Sequence, residues 1–433
     1  MWNPKQEAMP QEELRQFQWE RLQSTLNRVY RHVSHYKKSF DEAGILPEDL
    51  ESIDDLHRLP FTDRSTLMDN YPYGMFAVPL REVVRIHSIP GWTGKPIVVG
   101  YTKNDLDHWS DLTARMLHGC GVNRDDVVQV SFGYGILNRG LGLHYGAERL
   151  GASVIPGSTE EAKKQLLIMR DFRTTVLVCS PSYALLTLTL LQETGLDPKE
   201  LCLRIGVFGG EPWEEPMRRE LEQGLLLDAF DHYAVPEMLG PGISGECREK
   251  NGLHIAEDHF LAEIVDPGSG RTLPPGTRGE LVLTSLTREA YPLIRFRTGH
   301  LTRLDTEPCP CGRTLARMAR LEITDSDIVR VNGTLVHLSR VRAILEEVYG
   351  EDPRYQLLAE REQGEDRLEL RVEMRGKRFE DEMKKLHSLR TMLADRFQEA
   401  LRVRVNVTLH DHRSLAGSIE KFGILIDKRV RPK

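Results

Sequence analysis

The stretch 203–225, LRIGVFGGEPWEEPMRRELEQGL, decides the fold class. Its first six residues form a short apolar run, which predicts a buried strand. Gly209 and Gly210 then introduce a turn, and 213–225 has the polar and apolar spacing of a helix. Pro212 near the start of that helix fits the preference of proline for the first helical turn. The stretch therefore predicts one strand–loop–helix unit.

The same order recurs elsewhere in the chain. A β-branched run at Asp126–Phe132 leads into a glycine-rich segment, and the apolar run Thr174–Cys179 ends at Ser180-Pro181. Repeated units of this kind predict an α/β fold, with a largely parallel sheet and helices on both faces. Between residues 252 and 304 the strand patterns have no helices between them, which predicts a smaller β subdomain.

The pattern changes after Asp325. Residues 328–337 (IVRVNGTLVH) predict a hairpin around Asn332-Gly333. A helix at 339–348, a strand at 367–374, a long charged helix at 379–401 and a strand at 402–409 follow. We therefore expect a large N-terminal domain over 1–325 and a small α+β domain over 326–433.

Composition narrows the class of protein. The 433 residues are 40% hydrophobic, and 58 basic against 65 acidic residues give a net charge of −7, which does not favour nucleic acid or an anionic membrane as partner. The six cysteines are too few and scattered for a disulfide framework, and no apolar run approaches the length of a membrane span. The N-terminus lacks an apolar signal core. These features favour a soluble, cytoplasmic protein.

Four residues whose side chains can bind a soft metal ion occur as two pairs along the chain. Cys247 and His254 are close in sequence, and Cys309 and Cys311 form a Cys-Pro-Cys-Gly motif. Such a set can close a tetrahedral zinc site, which four protein ligands would make structural rather than catalytic. The alternative for the Cys-Pro-Cys motif is a pair of small core residues. His259 is the rival histidine, to which we assign no metal role.

A glycine-rich segment, SIPGWTGKP at 88–96, is the first candidate for phosphate binding. Backbone N–H groups of such a turn and the charge of Lys95 can surround phosphates. The motif alone is weak, and an ordinary turn between strands is the alternative.

Together with this loop, several motifs resemble phenylacetate–CoA ligases of the adenylate-forming superfamily, over nearly the whole chain. They are IVVGYT (97–102), GLHYGAERLGA (142–152), GEPW (210–213), GPG (240–242), EDHF (257–260) and GELVLTSL (279–286). The resemblance implies ATP, Mg and a carboxylic acid as reactants, with CoA or the phosphopantetheine of a carrier protein as acyl acceptor. It also implies a hinge between the two domains.

The resemblance implies a role for individual residues. It assigns catalysis to Lys421, Glu237 and His300, the last as the counterpart of a ribose-binding carboxylate, and the hinge to Asp327. It assigns nucleotide binding to Gly91, Thr93, Gly94, Lys95, Gly210, Glu211, Pro212 and Tyr233. An aromatic acid would lie among Phe132, Tyr134, Gly135, Arg139, Gly140, His144, Phe208 and Gly209. Read singly, Gly94 is a turn residue, Tyr233 a core residue and Lys421 a surface lysine.

The nucleotide side departs from the family pattern. Ile89, Pro90 and Trp92 replace hydroxyl residues of the phosphate loop, Thr324 replaces the hinge arginine, and Pro236 replaces a hydroxyl residue. At His300 the family has an aspartate that accepts hydrogen bonds from both ribose hydroxyls, whereas a neutral imidazole accepts one. We therefore expect weaker ATP binding than in ordinary members of the family.

Three functions are consistent with the sequence. The first is an AMP-forming ligase that activates an aromatic or related acid and transfers it to CoA or a carrier thiol. The second is an ATP-independent acyl- or amide-transfer enzyme on the same fold, with His300 or His144 as base. The third is a non-catalytic binding protein. The acid, the acceptor and the oligomeric state, a homodimer included, are left open.

Overall fold

The computed structural model describes residues 1–89, 96–135, 139–157, 162–321, 328–331, 334–349, 353–362, 365–374, 383–401, 403–412 and 414–429. The predicted phosphate-loop residues Gly91, Thr93, Gly94 and Lys95 and the predicted hinge residue Asp327 lie outside these ranges. The side chains of Arg139 and Lys421 also lie outside the described part.

The N-terminal elements are α1 (Pro4–Glu7), α2 (Gln11–His32), α3 (Ser34–Ala43), α4 (Arg64–Asp69), β1 (Arg85–Ile89) and β2 (Ile97–Tyr101). The helical spacing of 12–43 is divided between α2 and α3 because Val33 between them has an extended backbone, with φ −114° and ψ 106°. The strands β1 and β2 are antiparallel, and they flank the predicted phosphate loop.

The central elements alternate as the sequence predicts. They are α5 (Lys103–Gly119), β3 (Val127–Val130), α6 (Arg139–Leu150), β4 (Ser153–Pro156), α7 (Ala162–Asp171), β5 (Val176–Cys179), α8 (Pro181–Thr194), β6 (Ile205–Gly209), α9 (Glu215–Leu225), β7 (Asp228–Val235), β8 (Gly240–Glu246) and β9 (Leu253–Ile255). Five of the strands, in the order β4–β3–β5–β6–β7, are parallel. The predicted parallel sheet is confirmed.

The start of α9 differs from its prediction. The helix begins at Glu215 after the N-cap Glu214, so Pro216, and not Pro212, lies in its first turn. Gly210, with φ +84°, interrupts the helical backbone conformation ahead of this point. Trp213 instead packs its ring against Phe208, with the ring centroids 5.8 Å apart.

The smaller β part follows the large sheet in sequence. The strands β10 (Phe260–Val265), β11 (Gly279–Ser285) and β12 (Phe296–Thr302) form an antiparallel sheet. The short strands β13 (Leu304–Asp305) and β14 (Arg317–Met318) return to the large sheet, where they extend its antiparallel edge beyond β8 and β9. The expected β subdomain is therefore present.

The C-terminal elements are β15 (Ile328–Val331), β16 (Thr334–His337), α10 (Leu338–Tyr349), β17 (Tyr355–Glu362), β18 (Glu365–Glu373), α11 (Met383–Leu401), β19 (Val405–His410), α12 (Ala416–Phe422) and β20 (Leu425–Asp427). The hairpin β15–β16 is confirmed. The strand β17 was not predicted, although it lies at the centre of the sheet β19–β18–β17–β20.

Separate apolar cores lie on the two faces of the large sheet. One core contains Phe132, Val207 and Phe230, and the other contains Phe208 and Trp213. The C-terminal elements enclose a further core whose buried members all lie between Val329 and Val407. Within the described residues, no helix is long and apolar enough to cross a membrane.

Candidate functional site

Bulged strands place the main site residues. The antiparallel pairing of β11 with β12 is interrupted by a bulge. There, Leu281 of β11 lies opposite the three residues Thr298, Gly299 and His300 of β12. Gly299 adopts φ +75°, a conformation that favours glycine, and its N–H donates to Glu280 at 3.0 Å. Bulges of this kind redirect side chains beside functional sites. The pairing of β7 with β8 shifts in the same way next to Tyr233.

Tyr233 of β7 and His300 of β12 contact each other. The Tyr233 hydroxyl is hydrogen bonded to Nδ1 of His300 at 2.7 Å, and the two rings are nearly perpendicular, at 83°. Burial is the main cause that raises the pKa of Tyr233, so the hydroxyl is neutral at pH 7. With Nδ1 engaged by Tyr233, His300 has at most one ring nitrogen for a ribose hydroxyl.

Glu237 lies in the turn after β7, where its side chain is buried. Its Oε1 is 2.8 Å from Nε of Arg64, whose side chain is about one-third exposed at the start of α4. Apart from this ion pair, neither carboxylate oxygen accepts a hydrogen bond from the described residues. A buried carboxylate with an oxygen that lacks a donor has room for a further positive ligand. Sequence reasoning missed Arg64, because no motif marks it.

Glu211 has a structural task at this edge of the sheet. Its Oε1 accepts a hydrogen bond from the backbone N–H of Ser182 at 2.6 Å and another from the Ser182 hydroxyl. The carboxylate therefore satisfies donors at the N-terminus of α8, where negative charge is favourable. The backbone of the Gly210–Pro212 turn remains a candidate for the predicted contact with a nucleotide.

The predicted acid-pocket residues divide between the two faces of the sheet. Phe132, Gly209 and Gly210 lie together at the carboxyl ends of β3 and β6, since a Cβ on Gly210 would be 3.7 Å from the Phe132 ring. Phe208 points to the other face, where it packs on Trp213. The Phe208 side chain therefore does not lie with Phe132, Gly209 and Gly210.

A second part of the predicted pocket lies at α6. The Tyr134 hydroxyl is 3.2 Å from Nδ1 of His144, and Nε2 of His144 is 3.0 Å from Glu148. Gly140 allows α6 to approach the strand end, since a Cβ there would be 2.7 Å from the carbonyl oxygen of Gly133. Gly135 is exposed at the edge of this group.

His232, which sequence reasoning also missed, lies with Phe132. Among the alternate positions Phe230, His232 and Ala234 of β7 it is the polar residue, and a polar residue on an otherwise apolar strand face is the signal that could have found it. A Cβ on Gly209 would be 2.7 Å from its ring. Burial lowers the pKa of His232 to about 4.

The four predicted soft ligands come together in one cluster. Their ligand atoms all lie within 4.8 Å of one another. The Sγ atoms of Cys247 and Cys309 are 3.8 Å apart, and Sγ of Cys311 is 3.4 Å from Nε2 of His254. Tetrahedral zinc, with Zn–S of about 2.3 Å and Zn–N of about 2.0 Å, places two thiolates about 3.8 Å apart and a thiolate and an imidazole nitrogen about 3.5 Å apart. The donor set therefore fits zinc.

The surroundings of the cluster orient its ligands. Nδ1 of His254 is 3.2 Å from the carbonyl oxygen of Leu315, which turns Nε2 toward the thiols. Arg313 donates to Sγ of Cys311 at 3.4 Å and to the buried Glu7 at 2.5 Å. His259 belongs to a separate network, in which its Nδ1 is 2.7 Å from the Thr287 hydroxyl.

Comparisons with known proteins define the class. A solved structure of 2-hydroxyisobutyryl-CoA ligase, in complex with 2-HIB-AMP and CoA, superposes with a TM-score of 0.75 at 27% identity, over 98% of this chain and 91% of that one. The family model of the AMP-binding enzyme C-terminal domain matches residues 333–429. The fold is that of the adenylate-forming enzymes.

Curated relatives define the family. The phenylacetate-coenzyme A ligase of Thermus thermophilus is 41% identical over 422 residues, which are 94% of this chain and 95% of the relative. That of Escherichia coli K12 is 41% identical over 399 residues, 92% and 90% of the two chains. This chain belongs to the phenylacetate–CoA ligase family of the adenylate-forming superfamily.

Proposed function

We propose that the protein is an AMP-forming acid–thiol ligase. It joins the carboxylate of an aromatic or related acid to AMP from ATP, with release of pyrophosphate, and then passes the acyl group to the thiol of CoA. The named activity of the relatives supports this reaction. The observation that carries it is Glu237, a buried carboxylate with an oxygen that no described donor satisfies, beside Tyr233.

The roles of the residues follow from their chemistry. Glu237 would hold the magnesium that accompanies ATP, because carboxylate oxygens are preferred magnesium ligands. Tyr233 would contact the adenine and His300 the ribose. Arg64, paired with Glu237, would have to release that carboxylate to the magnesium, and its guanidinium would then be available to an anionic phosphate or carboxylate. Lys421, in α12, would contact both the carboxylate of the acid and the α-phosphate during adenylation.

We also propose that ATP binds weakly. Two observations support this: the Tyr233–His300 hydrogen bond engages both residues, and the Arg64 guanidinium competes with magnesium for Glu237. The second candidate function, ATP-independent acyl or amide transfer, gains from the same two observations. Under it His300 would act as the base.

Zinc is a further part of the proposal. We infer that Cys247, His254, Cys309 and Cys311 hold one structural zinc ion, since their spacing matches the edges of a zinc tetrahedron. When bound, the ion would fix the loop between β13 and β14 against the end of β8. A site closed by four protein ligands takes no part in the reaction.

We also propose that the chain is divided into two domains between residues 325 and 326. The separate core between Val329 and Val407 supports an independently packed C-terminal domain that moves about Asp327. Limited proteolysis that cuts near 323–327 and leaves two stable fragments is the expected result. A single resistant unit would contradict a mobile hinge.

The experiment that tests the ligase separates its two half-reactions. Pyrophosphate exchange that depends on an added acid measures adenylation, and thioester formation with CoA measures transfer. We expect both in the wild type, with Lys421→Ala losing the exchange. Thioester or amide formation from an activated acyl donor without ATP, in a protein that shows no exchange, would favour the second candidate.

A further inference from the structure

His232 is a buried polar side chain in the large sheet. It is only 3% exposed in β7, and neither Nδ1 nor Nε2 makes a hydrogen bond with any described residue. Leaving a buried donor or acceptor unsatisfied is unfavourable by about 1–3 kcal/mol. Such groups are rare in folded proteins, and each of them calls for a ligand or another reason.

The position of His232 points to a ligand. It stands opposite Gly209 at the carboxyl ends of the parallel strands β7 and β6. In open α/β sheets, ligands bind at this edge. The ring of Phe132, from the end of β3, is perpendicular to the imidazole with its centroid 6.3 Å away. Gly209 is required there, because a Cβ would be 2.3 Å from the carbonyl oxygen of His232.

The pleat of β7 separates two kinds of contact. Tyr233 faces His300, so the preceding residue, His232, faces the opposite side of the sheet. Phe230 lies on that same side, in one apolar core with Phe132 and Leu143. The imidazole is therefore a polar group within an otherwise apolar region, on the opposite side of the sheet from Tyr233 and His300.

We propose that His232 determines specificity in the acid pocket by hydrogen bonding an uncharged polar group, such as a hydroxyl, at the end of the acid remote from the reacting carboxylate. This inference rests on the proposed function for the use of the pocket by an acid. A neutral imidazole offers one donor and one acceptor, which matches a hydroxyl that both donates and accepts. The low pKa of His232, about 4, keeps the ring uncharged, so a second carboxylate is not the preferred partner.

The test compares matched acids on matched variants. The probes are phenylacetate and its 2-, 3- and 4-hydroxy derivatives, with dissociation constants from calorimetry and kcat/KM from thioester formation. We expect the wild type to favour one hydroxy acid over phenylacetate by about 10- to 100-fold. His232→Ile lowers the ratio of kcat/KM for that hydroxy acid over phenylacetate toward one, and His232→Asn retains part of the preference. An unchanged ratio in His232→Ile, or equal weakening of every acid, overturns the assignment.

A measurement on the wild type does not depend on the folding of a variant. In protein labelled at histidine, the imidazole resonances of His232 shift on addition of the preferred hydroxy acid and stay in place with phenylacetate. Equal shifts with both acids, or binding of no acid of the panel, overturn the proposal. Discriminating binding without any thioester product refutes the ligase and leaves this inference standing. Thioester formation with a ratio that His232→Ile does not alter refutes the inference and leaves the ligase standing.

Discussion

The soft-ligand cluster and the predicted nucleotide side of this protein differ in how far their side chains are arranged for a ligand. At the cluster, four candidate zinc ligands lie within 4.8 Å of one another, and a carbonyl oxygen and an arginine contact two of them. On the predicted nucleotide side, His300, where the resemblance implies a carboxylate, is hydrogen bonded to Tyr233, and Glu237 is paired with Arg64. A structural site tolerates little change because folding depends on it, whereas a binding site can change with its ligand.

The largest expected effect is at the cluster. Cys309→Ser/Cys311→Ser removes two of four zinc ligands, so we expect loss of zinc and of at least about 5 kcal/mol of unfolding free energy. Metal analysis of chelator-washed protein and denaturant unfolding are the measurements. Cys202→Ser is the control, because Cys202 is exposed and free. Equal zinc content in the two variants would show that Cys309 and Cys311 do not bind zinc.

The next effect concerns the buried carboxylate of the nucleotide side. Glu237→Gln keeps the shape of the side chain and removes its charge, so we expect acid-dependent pyrophosphate exchange to fall by roughly 10²–10³-fold. Zinc content should stay unchanged. The conservative variant Glu237→Asp should recover part of the exchange. Full activity in Glu237→Gln would show that this carboxylate does not serve the reaction.

The third prediction concerns acid stability. The pKa of His232 is lowered to about 4 by burial, against about 6.5 in an unfolded chain. Between these values the unfolded chain binds the extra proton, so stability is present above pH 6.5 and is lost as the pH falls toward 4, by about 3 kcal/mol. His232→Ile should flatten that part of a curve of unfolding free energy against pH. Identical slopes in wild type and variant would mean that folding does not lower the pKa of His232.

A smaller effect is expected at α8. Glu211→Gln weakens the two hydrogen bonds to Ser182, and we expect a loss of about 2 kcal/mol of unfolding free energy with ATP affinity little changed. Glu214→Gln is the matched control, since the Glu214 side chain makes no capping hydrogen bond. A large fall in ATP affinity with unaltered stability would return Glu211 to a direct role in nucleotide binding.

Local patterns predicted the parallel strands, the hairpin at 328–337 and the four ligands of the cluster. These features depend on periodicity or on ligand type, which a sequence shows directly. The two bulges that aim Tyr233 and His300 could not be predicted, because they arise from pairing between distant strands. Arg64 was missed for the same reason, since it becomes significant only through its neighbours in space, whereas His232 was missed because motif matching passes over a polar residue in a buried strand. The opposite orientation of Phe208 follows from the pleat of β6, which motif matching ignores.

We propose that the nucleotide side has been altered while the cluster has kept its capacity to hold zinc. Calorimetry with ATP and Mg²⁺, on the wild type and on His300→Asp, is the decisive measurement. The aspartate supplies a second acceptor and removes the imidazole from Tyr233, so we expect weak, near-millimolar binding to the wild type and about tenfold tighter binding to the variant. Micromolar binding to the wild type, with no gain in His300→Asp, would show that the nucleotide site is intact.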